Sequence, residues 1–455
     1  MRSRNLIILA SVAIALGVFI YFVERHQPTT DDRLERIDRL FQELDGDAVV
    51  ELELKTSHGP VRLAKTDDEW RMVEPLDYPA DVAAVKALVD AVANLDAERI
   101  LPIGEVDPGD YGLDAPVLGV TLVDSHGDRF SLAVGDETPL GSNRAVQRRS
   151  DKKIILVPGH FVASLDKDID QWRSRDVVDL LEHDLESVEI ETAEDRIKAE
   201  QGDGRWMLSE PLIDLADPDQ MRSLVSELNT LRVSEFLSDE ADAPELGLDP
   251  PAFRVLLTPK DGGETLTLEL AASEDEAGTV VCRRNGSDLF LVPSSIGTRL
   301  AKAPVLWRSD KVWPLTSWDV SKIEIAGKTE EAVLDRVDGL WQAGDGGEVD
   351  NPEVSRRLGA LADLEVREHD LVLPPTEVMG SVILVIDEDG GAEGLTYTFF
   401  APLEEGGLAA VRVSSRDNVM GVDAISAETI VGNLDRLRPT DAATATDDGA
   451  DSEFE

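Results

Sequence analysis

The chain has 455 residues, 42% of them hydrophobic, which suffices for several packed cores and argues against wholesale disorder. Its 92 acidic residues outnumber 44 basic ones, and the net charge of −48 repels phosphate backbones and anionic headgroups, so nucleic acid is excluded as a partner. The single cysteine, Cys282, rules out an intramolecular disulfide and reads as an apolar strand residue within Val280-Val281-Cys282-Arg283-Arg284.

Residues 1–5 carry Arg2 and Arg4 and are expected on the cytoplasmic side. Residues 6–23 carry no charge and, at about 1.5 Å per residue, reach about 27 Å, which predicts a transmembrane helix. A cleaved leader has a shorter apolar core and a small-x-small site, where this chain has Glu24-Arg25-His26-Gln27. The expected localisation is therefore the inner (cytoplasmic) membrane, single-pass, with the bulk periplasmic or otherwise extracytoplasmic. Over residues 24–47, Leu34, Ile37, Leu40, Phe41 and Leu44 predict a juxtamembrane amphipathic helix.

The rest repeats. Glu69-Trp70-Arg71-Met72-Val73-Glu74-Pro75-Leu76 returns as Arg205-Trp206-Met207-Leu208-Ser209-Glu210-Pro211-Leu212, a shift of 136 positions from Trp70 to Trp206. Tyr111-Gly112-Leu113-Asp114-Ala115-Pro116 returns as Leu246-Gly247-Leu248-Asp249-Pro250-Pro251, and Arg148-Arg149 returns as Arg283-Arg284, each 135 positions on. Trp172-Arg173-Ser174 returns as Trp307-Arg308-Ser309 at the same spacing. A fainter third copy is marked by Trp341, 135 positions after Trp206. Such a period is too long for a solenoid and predicts tandem domains: 48–180, 181–315 and a divergent 316–438, followed by an acidic tail, 439–455, expected to be disordered. Within a copy, alternation over Val49–Leu54 and the Ser57-His58-Gly59-Pro60 turn predict a hairpin. Val82, Val85, Leu88, Val89, Val92 and Leu95 predict an amphipathic helix, as do Met221, Leu224, Val225, Leu228 and Leu231. Asp217-Pro218 and Asn351-Pro352 suit helix starts, with the residue before each proline as N-cap. The predicted fold class is α+β: an N-terminal transmembrane helix followed by tandem repeated domains of antiparallel sheets and packed helices.

The order of Trp70 to Pro75, Tyr111 to Pro116, Leu132 to Asp136 and Trp172 to Ser174 resembles the bacterial domain-of-unknown-function family 4340. The resemblance covers residues 45 to 310 well. It implies a membrane-anchored accessory protein associated with ABC transporters of the gliding-motility type, with permease or accessory subunits as partners, and supplies no catalytic residues.

The chain offers no chemistry of its own to set beside that. His26, His58, His126, His160, His183 and His369 are scattered without ligand spacing, so no metal site is expected. Gly327-Lys328-Thr329 lacks the first glycine of a phosphate loop, and Asp387-Glu388-Asp389-Gly390-Gly391 suits a hairpin turn better than a calcium loop. Trp70, Trp206 and Trp341 suit core anchors, and Arg148-Arg149 and Arg283-Arg284 suit exposed charges neutralising nearby carboxylates. No catalytic, cofactor or metal residue and no small-molecule substrate is identified. The candidate interaction or inter-domain packing residues are Trp172, Arg173, Trp307 and Arg308, which fall where one copy hands over to the next. The expected function is a non-enzymatic accessory or scaffold protein of an ABC-type transport system. The alternative is an extracytoplasmic ligand-binding protein using a cleft between copies.

Overall fold

Apolar alternation builds the first sheet. In β1 (Val49–Thr56), Leu52, Leu54 and Thr56 are buried while Glu51, Glu53 and Lys55 face outward. Strand β2 (Gly59–Thr66) returns with Leu63 opposite Leu52, and β3 (Glu69–Glu74) and the two-residue β4 (Tyr78–Pro79) extend the sheet. The structure is a computed structural model; it describes residues 39–439 apart from 102–105, 140–141, 151–152, 203, 238–245, 275–276, 373–376, 389–390, 403 and 405.

Helix α1 (Val82–Ala93) follows, its first turn capped by Asp81, whose carboxylate accepts from the Ala84 N–H. Its buried stripe of Val85, Leu88, Val89 and Val92 joins Leu52, Leu63, Met72, Leu122 and Ile155 in one core, so the copy has two layers. The chain continues through β5 (Arg99–Ile100), β6 (Leu118–Asp124), β7 (Arg129–Glu137), β8 (Asn143–Arg148) and β9 (Ile154–Pro158) to the single turn α2 (Val162–Leu165). The nine strands lie in the order β4-β3-β2-β1-β6-β7-β8-β9-β5.

The second sheet uses β10 (Leu185–Thr192), β11 (Arg196–Gly202), β12 (Arg205–Glu210), β13 (Asp214–Leu215), β14 (Glu235–Phe236), β15 (Phe253–Pro259), β16 (Leu266–Glu274), β17 (Thr279–Arg284) and β18 (Asp288–Pro293), with α3 (Pro218–Thr230) and α4 (Ser295–Leu300). Its order, β13-β12-β11-β10-β15-β16-β17-β18-β14, is the first order shifted by nine. The third comprises β19 (Val320–Ala326), β20 (Glu331–Val337), β21 (Leu340–Ala343), β22 (Val378–Glu388), β23 (Gly391–Phe400), β24 (Ala409–Val413) and β25 (Val419–Val422), with α5 (Asn351–Ala362) and α6 (Ala424–Val431). Its order, β21-β20-β19-β22-β23-β24-β25, is the same without the two short strands. In their places stand single bridges, Gln342 with Glu348 and Glu368 with Gly421. Backbone contacts divide the chain into two compact units, Met1–Arg175 and Asp176–Glu455, so the second and third copies share one unit.

These findings correct the predicted fold class. Among the described residues the protein is sheet-rich, not α+β: three antiparallel sheets of nine, nine and seven strands carry it, and each copy has one helix of 12 or 13 residues with a shorter companion. Short strands such as Ala409–Val413 and Val419–Val422 are buried on both faces and carry no period of two, so their sequence does not mark them as strands. No helix among the described residues is long and apolar enough to cross a membrane. The segment 6–23 predicted to do so, residues 24–38 and the tail from 440 lie outside the described residues. Leu40, Phe41 and Leu44 are buried in the first core, but on an irregular segment bridged at Arg39 to Asp96 instead of a helix. The cap of α5 is Asp350, accepting from the Glu353 N–H, and Asn351 is the first helical residue. Trp206 and Trp341 are buried, whereas Trp70 is half-buried against the first core.

The Gly-Leu loop has a backbone cause. Gly112 and Gly247 sit at φ of 68° and 75°, left-handed values that glycine alone adopts without penalty, and the following Leu113 and Leu248 turn into the interior.

Candidate functional site

The Trp-Arg-Ser segments close their own copies. The Trp172 carbonyl accepts from the Asp81 N–H at 2.8 Å, and the Ser174 N–H donates to the Pro79 carbonyl at 2.8 Å. Trp307 accepts from Asp217, and Ser309 donates to Leu215, at 2.8 and 2.9 Å. Asp81 and Asp217 are the caps of α1 and α3, so each segment is tied to the start of the long helix. Both indoles are fully buried; Trp172 belongs to the first core, and the Trp307 Nε1–H donates to the Lys302 carbonyl at 3.4 Å. In the third copy Asp350 donates to the Leu437 carbonyl at 2.9 Å, which places Leu437-Arg438-Pro439 where the other copies have Trp-Arg-Ser. Pro439 has no N–H to repeat the serine's bond.

The arginine of the motif meets different chemistry in each case. Arg173 lies 4.2 Å from the centroid of the Tyr78 ring and pairs with Asp170 at 3.2 Å. The register that sets Tyr78 opposite Met72 sets Asp214 opposite Leu208, so Asp214 is the second copy's counterpart of Tyr78. Arg308 is buried and its Nε donates to one oxygen of Asp214, a carboxylate with no exposed surface. Its Nη1 and Nη2 reach across to Asp370 of the third copy, the latter at 2.8 Å.

A second arginine completes the cluster. Arg416, on the turn after β24, ion-pairs through Nε with the other oxygen of Asp214, and its Nη1 donates to the carbonyls of Lys311 and Val312 at 2.8 and 2.9 Å. Asp214 thus joins one guanidinium from its own copy to one from the next. Burial opposes the Arg308 cation, but Asp370 and Asp214 outweigh it and hold its pKa above the ordinary value. Burial pulls Arg416 below its ordinary value, although Asp214 opposes the change. The hydrogen bond from Arg308 holds Asp370 below the usual carboxylate range. His369, half-buried with Nε2 at 3.7 Å from Asp310, is pushed down by burial and by Arg308 and Arg416.

Arg416 also belongs to a repeated clamp on the segment entering each copy. The Arg148 Nη1–H donates to Leu40 at 2.8 Å and the Arg284 Nη1–H donates to Asp176 and Val177 at 3.2 and 3.4 Å, as Arg416 does to Lys311 and Val312. The held residue in turn donates to the end of the helical passage: Leu40 to Leu95, Val177 to Leu231 and Val312 to Leu364. Sequence reasoning gave Arg148 and Arg284 an exposed, carboxylate-neutralising role. The Arg284 pair with Asp288 at 2.9 Å fits that, but the backbone clamp does not. It missed Asp214, Asp370 and Arg416 altogether. The available signal was the exchange of Tyr78 for Asp214 at a repeated position, a change that buries a charge and demands a partner.

In this arrangement Arg308 pairs with Asp214 and Asp370, and Arg416 pairs with Asp214. Burial pushes the Cys282 thiol up to about 12, so it is not a thiolate at neutral pH. Among the described residues no group of three or more His, Cys, Asp or Glu side chains could hold a metal ion. The molecule is a tandem sheet-repeat protein whose repeated polar residues serve turns, caps and a buried seam. The chain belongs to the family described as "Domain of unknown function (DUF4340)", which matches residues 70–251 and 216–370. No curated protein matches it.

Proposed function

We propose that the chain is a non-enzymatic accessory or scaffold protein, held at a membrane by its apolar residues 6–23 with the bulk outside the cytoplasm, and working with an ABC-type transport complex. The observation that carries this reading is the repetition: one strand order is used three times, and the side chains that recur with it are engaged in turns, caps and clamps. A sheet repeated with the same turns, caps and clamps suits holding other proteins better than turning over a substrate. The uncharged run after Arg2 and Arg4 supports the address, and the likeness to family 4340 supports the transporter. The ligand-binding alternative needs an open cleft between copies, and at the junction of the second and third copies that space holds Asp214, Arg308 and Arg416. Affinity purification of the tagged full chain from solubilised membranes tests the proposal. Recovery of permease or ATPase subunits is expected; recovery of the chain without any transporter component would refute it.

A further inference from the structure

The chain carries one asparagine followed by glycine, Asn285-Gly286, and the fold sets it at the tip of the hairpin joining β17 to β18. The Ser287 N–H donates to the Arg284 carbonyl at 3.2 Å across a turn whose central residues, Asn285 and Gly286, have φ of 51° and 76°. Those positive values belong to the mirror-image hairpin turn, for which Asn-Gly is the favoured pair. Residues 285–287 are exposed. The Asn285 side chain is nevertheless held: its Oδ1 accepts from the Thr267 N–H at 3.0 Å, while its own main-chain N–H donates to the Thr267 carbonyl at 2.9 Å. The Gly286 N–H donates to no main-chain acceptor among the described residues. A side-chain carbonyl polarised by a donor thus stands one residue before an unhindered main-chain nitrogen. Directly after the arginine that clamps the entering segment, the three copies carry Arg149, Asn285 and Asp417, so only the second has a side-chain amide there.

We propose that Asn285 is a self-modifying site, which converts to aspartate and isoaspartate and in the second form releases the Arg284 clamp of the second copy. The Gly286 nitrogen attacks Cγ of Asn285, its proton passing to solvent. The new C–N bond closes a succinimide ring as the Cγ–Nδ2 bond breaks and Nδ2 leaves as ammonia. The Thr267 N–H stabilises the negative charge that gathers on Oδ1 in that step. Water then opens the ring. Attack at Cγ gives aspartate on an unchanged main chain, the side chain that the third copy already carries as Asp417. Attack at the main-chain carbonyl gives isoaspartate, whose main chain runs through Cβ and Cγ and is longer by a carbon. That extra length falls between β17 and β18, where Arg284 lies opposite Asp288 and Arg283 opposite Leu289. The register beside the turn has to give, and Arg284 is the residue that donates to the carbonyls of Asp176 and Val177. Other asparagines are worse placed. Asn229 is tied through both side-chain ends to Leu180 and precedes β-branched Thr230 within α3, and Asn351 precedes a proline, which has no N–H to attack with.

The test incubates the full chain in mild detergent at mildly alkaline pH and maps its peptides by mass spectrometry against an unincubated control. The tryptic peptide Asn285–Arg299 is expected to gain the mass difference between asparagine and aspartate before any other asparagine peptide does. It should also split into two forms, one of which an isoaspartyl methyltransferase methylates. Hydrogen exchange on the isoaspartate form should show protection lost in Thr279–Arg284, in Asp288–Pro293 and at Val177, while Val320–Ala326 keeps its rate. An Asn285→Gln variant, whose longer side chain closes the ring poorly, should keep its mass and its protection over the same time. A fresh Asn285→Asp variant should be protected like the unincubated chain, which separates the added charge from the lengthened main chain. No mass change at Asn285, an earlier change at another asparagine, aspartate without isoaspartate, or full protection in the isoaspartate form each overturns the proposal.

Discussion

Asp214 is the residue on which the shared unit turns. It has no exposed surface and meets two guanidiniums, so removing it leaves the buried Arg416 without the carboxylate that it ion-pairs with. Asp214→Ala is expected to cost about 3–5 kcal/mol in urea unfolding, the usual penalty for orphaning a buried charge. Lys86→Ala, which breaks the exposed pair with Asp90, is expected to cost less than about 0.5 kcal/mol in the same measurement. His369 adds a pH dependence. Burial first, and then Arg308 and Arg416, oppose a third cation there and outweigh Asp214 and Asp310, so the folded protein binds that proton less well than the unfolded chain. Stability from this group is therefore complete above about pH 6.5 and is lost as the pH falls below it towards the depressed folded value. Replacing His369 by Asn should flatten that part of the curve of unfolding midpoint against pH. An unchanged slope would assign it to other groups.

At the scale of elements, caps and turns explain why motifs recur where they do. Asp217 caps α3 through the N–H groups of Asp219 and Gln220, while its own N–H binds the Trp307 carbonyl. Asp217→Ala should cost about 0.5–2 kcal/mol, measured by thermal or urea unfolding. Gly247→Ala should cost about 1–2 kcal/mol from its left-handed backbone, since a Cβ there would meet only the Ala271 Cβ at an ordinary 3.5 Å. Such elements were legible in the sequence because their causes are local: the stripe Met221, Leu224, Val225 and Leu228 needs a helix, and Gly-Leu-x-x-Pro needs a turn. The two-residue strands Tyr78–Pro79 and Asp214–Leu215 were not legible, because nothing within two residues can show a period. Leu437 was missed for another reason: it fills the place of Trp307 through a backbone bond, which any side chain allows. Of the seam, Arg308 was singled out in the sequence as a residue at the junction of copies, but its partners Asp214 and Asp370 and the second arginine, Arg416, were not legible, because they lie far apart along the chain and meet only through the fold.

For the whole molecule, a net charge of −48 makes like-charge repulsion the main long-range term. Added salt screens it, so the melting temperature should rise between about 0.05 and 0.5 M sodium chloride. A fall would mean that the internal ion pairs outweigh the repulsion. Two compact units also predict that unfolding divides at the boundary between Arg175 and Asp176, and not between the second and third copies. The most direct test of the buried seam is hydrogen exchange, read by mass spectrometry, on the full chain and its Asp214→Asn variant. Protection should fall together in Arg205–Glu210 of the second sheet and Ala409–Val413 of the third, while Ile154–Pro158 of the first unit keeps its rate. Loosening of one sheet without the other, or no change in either, would contradict the claim that Asp214 binds those two copies into one unit.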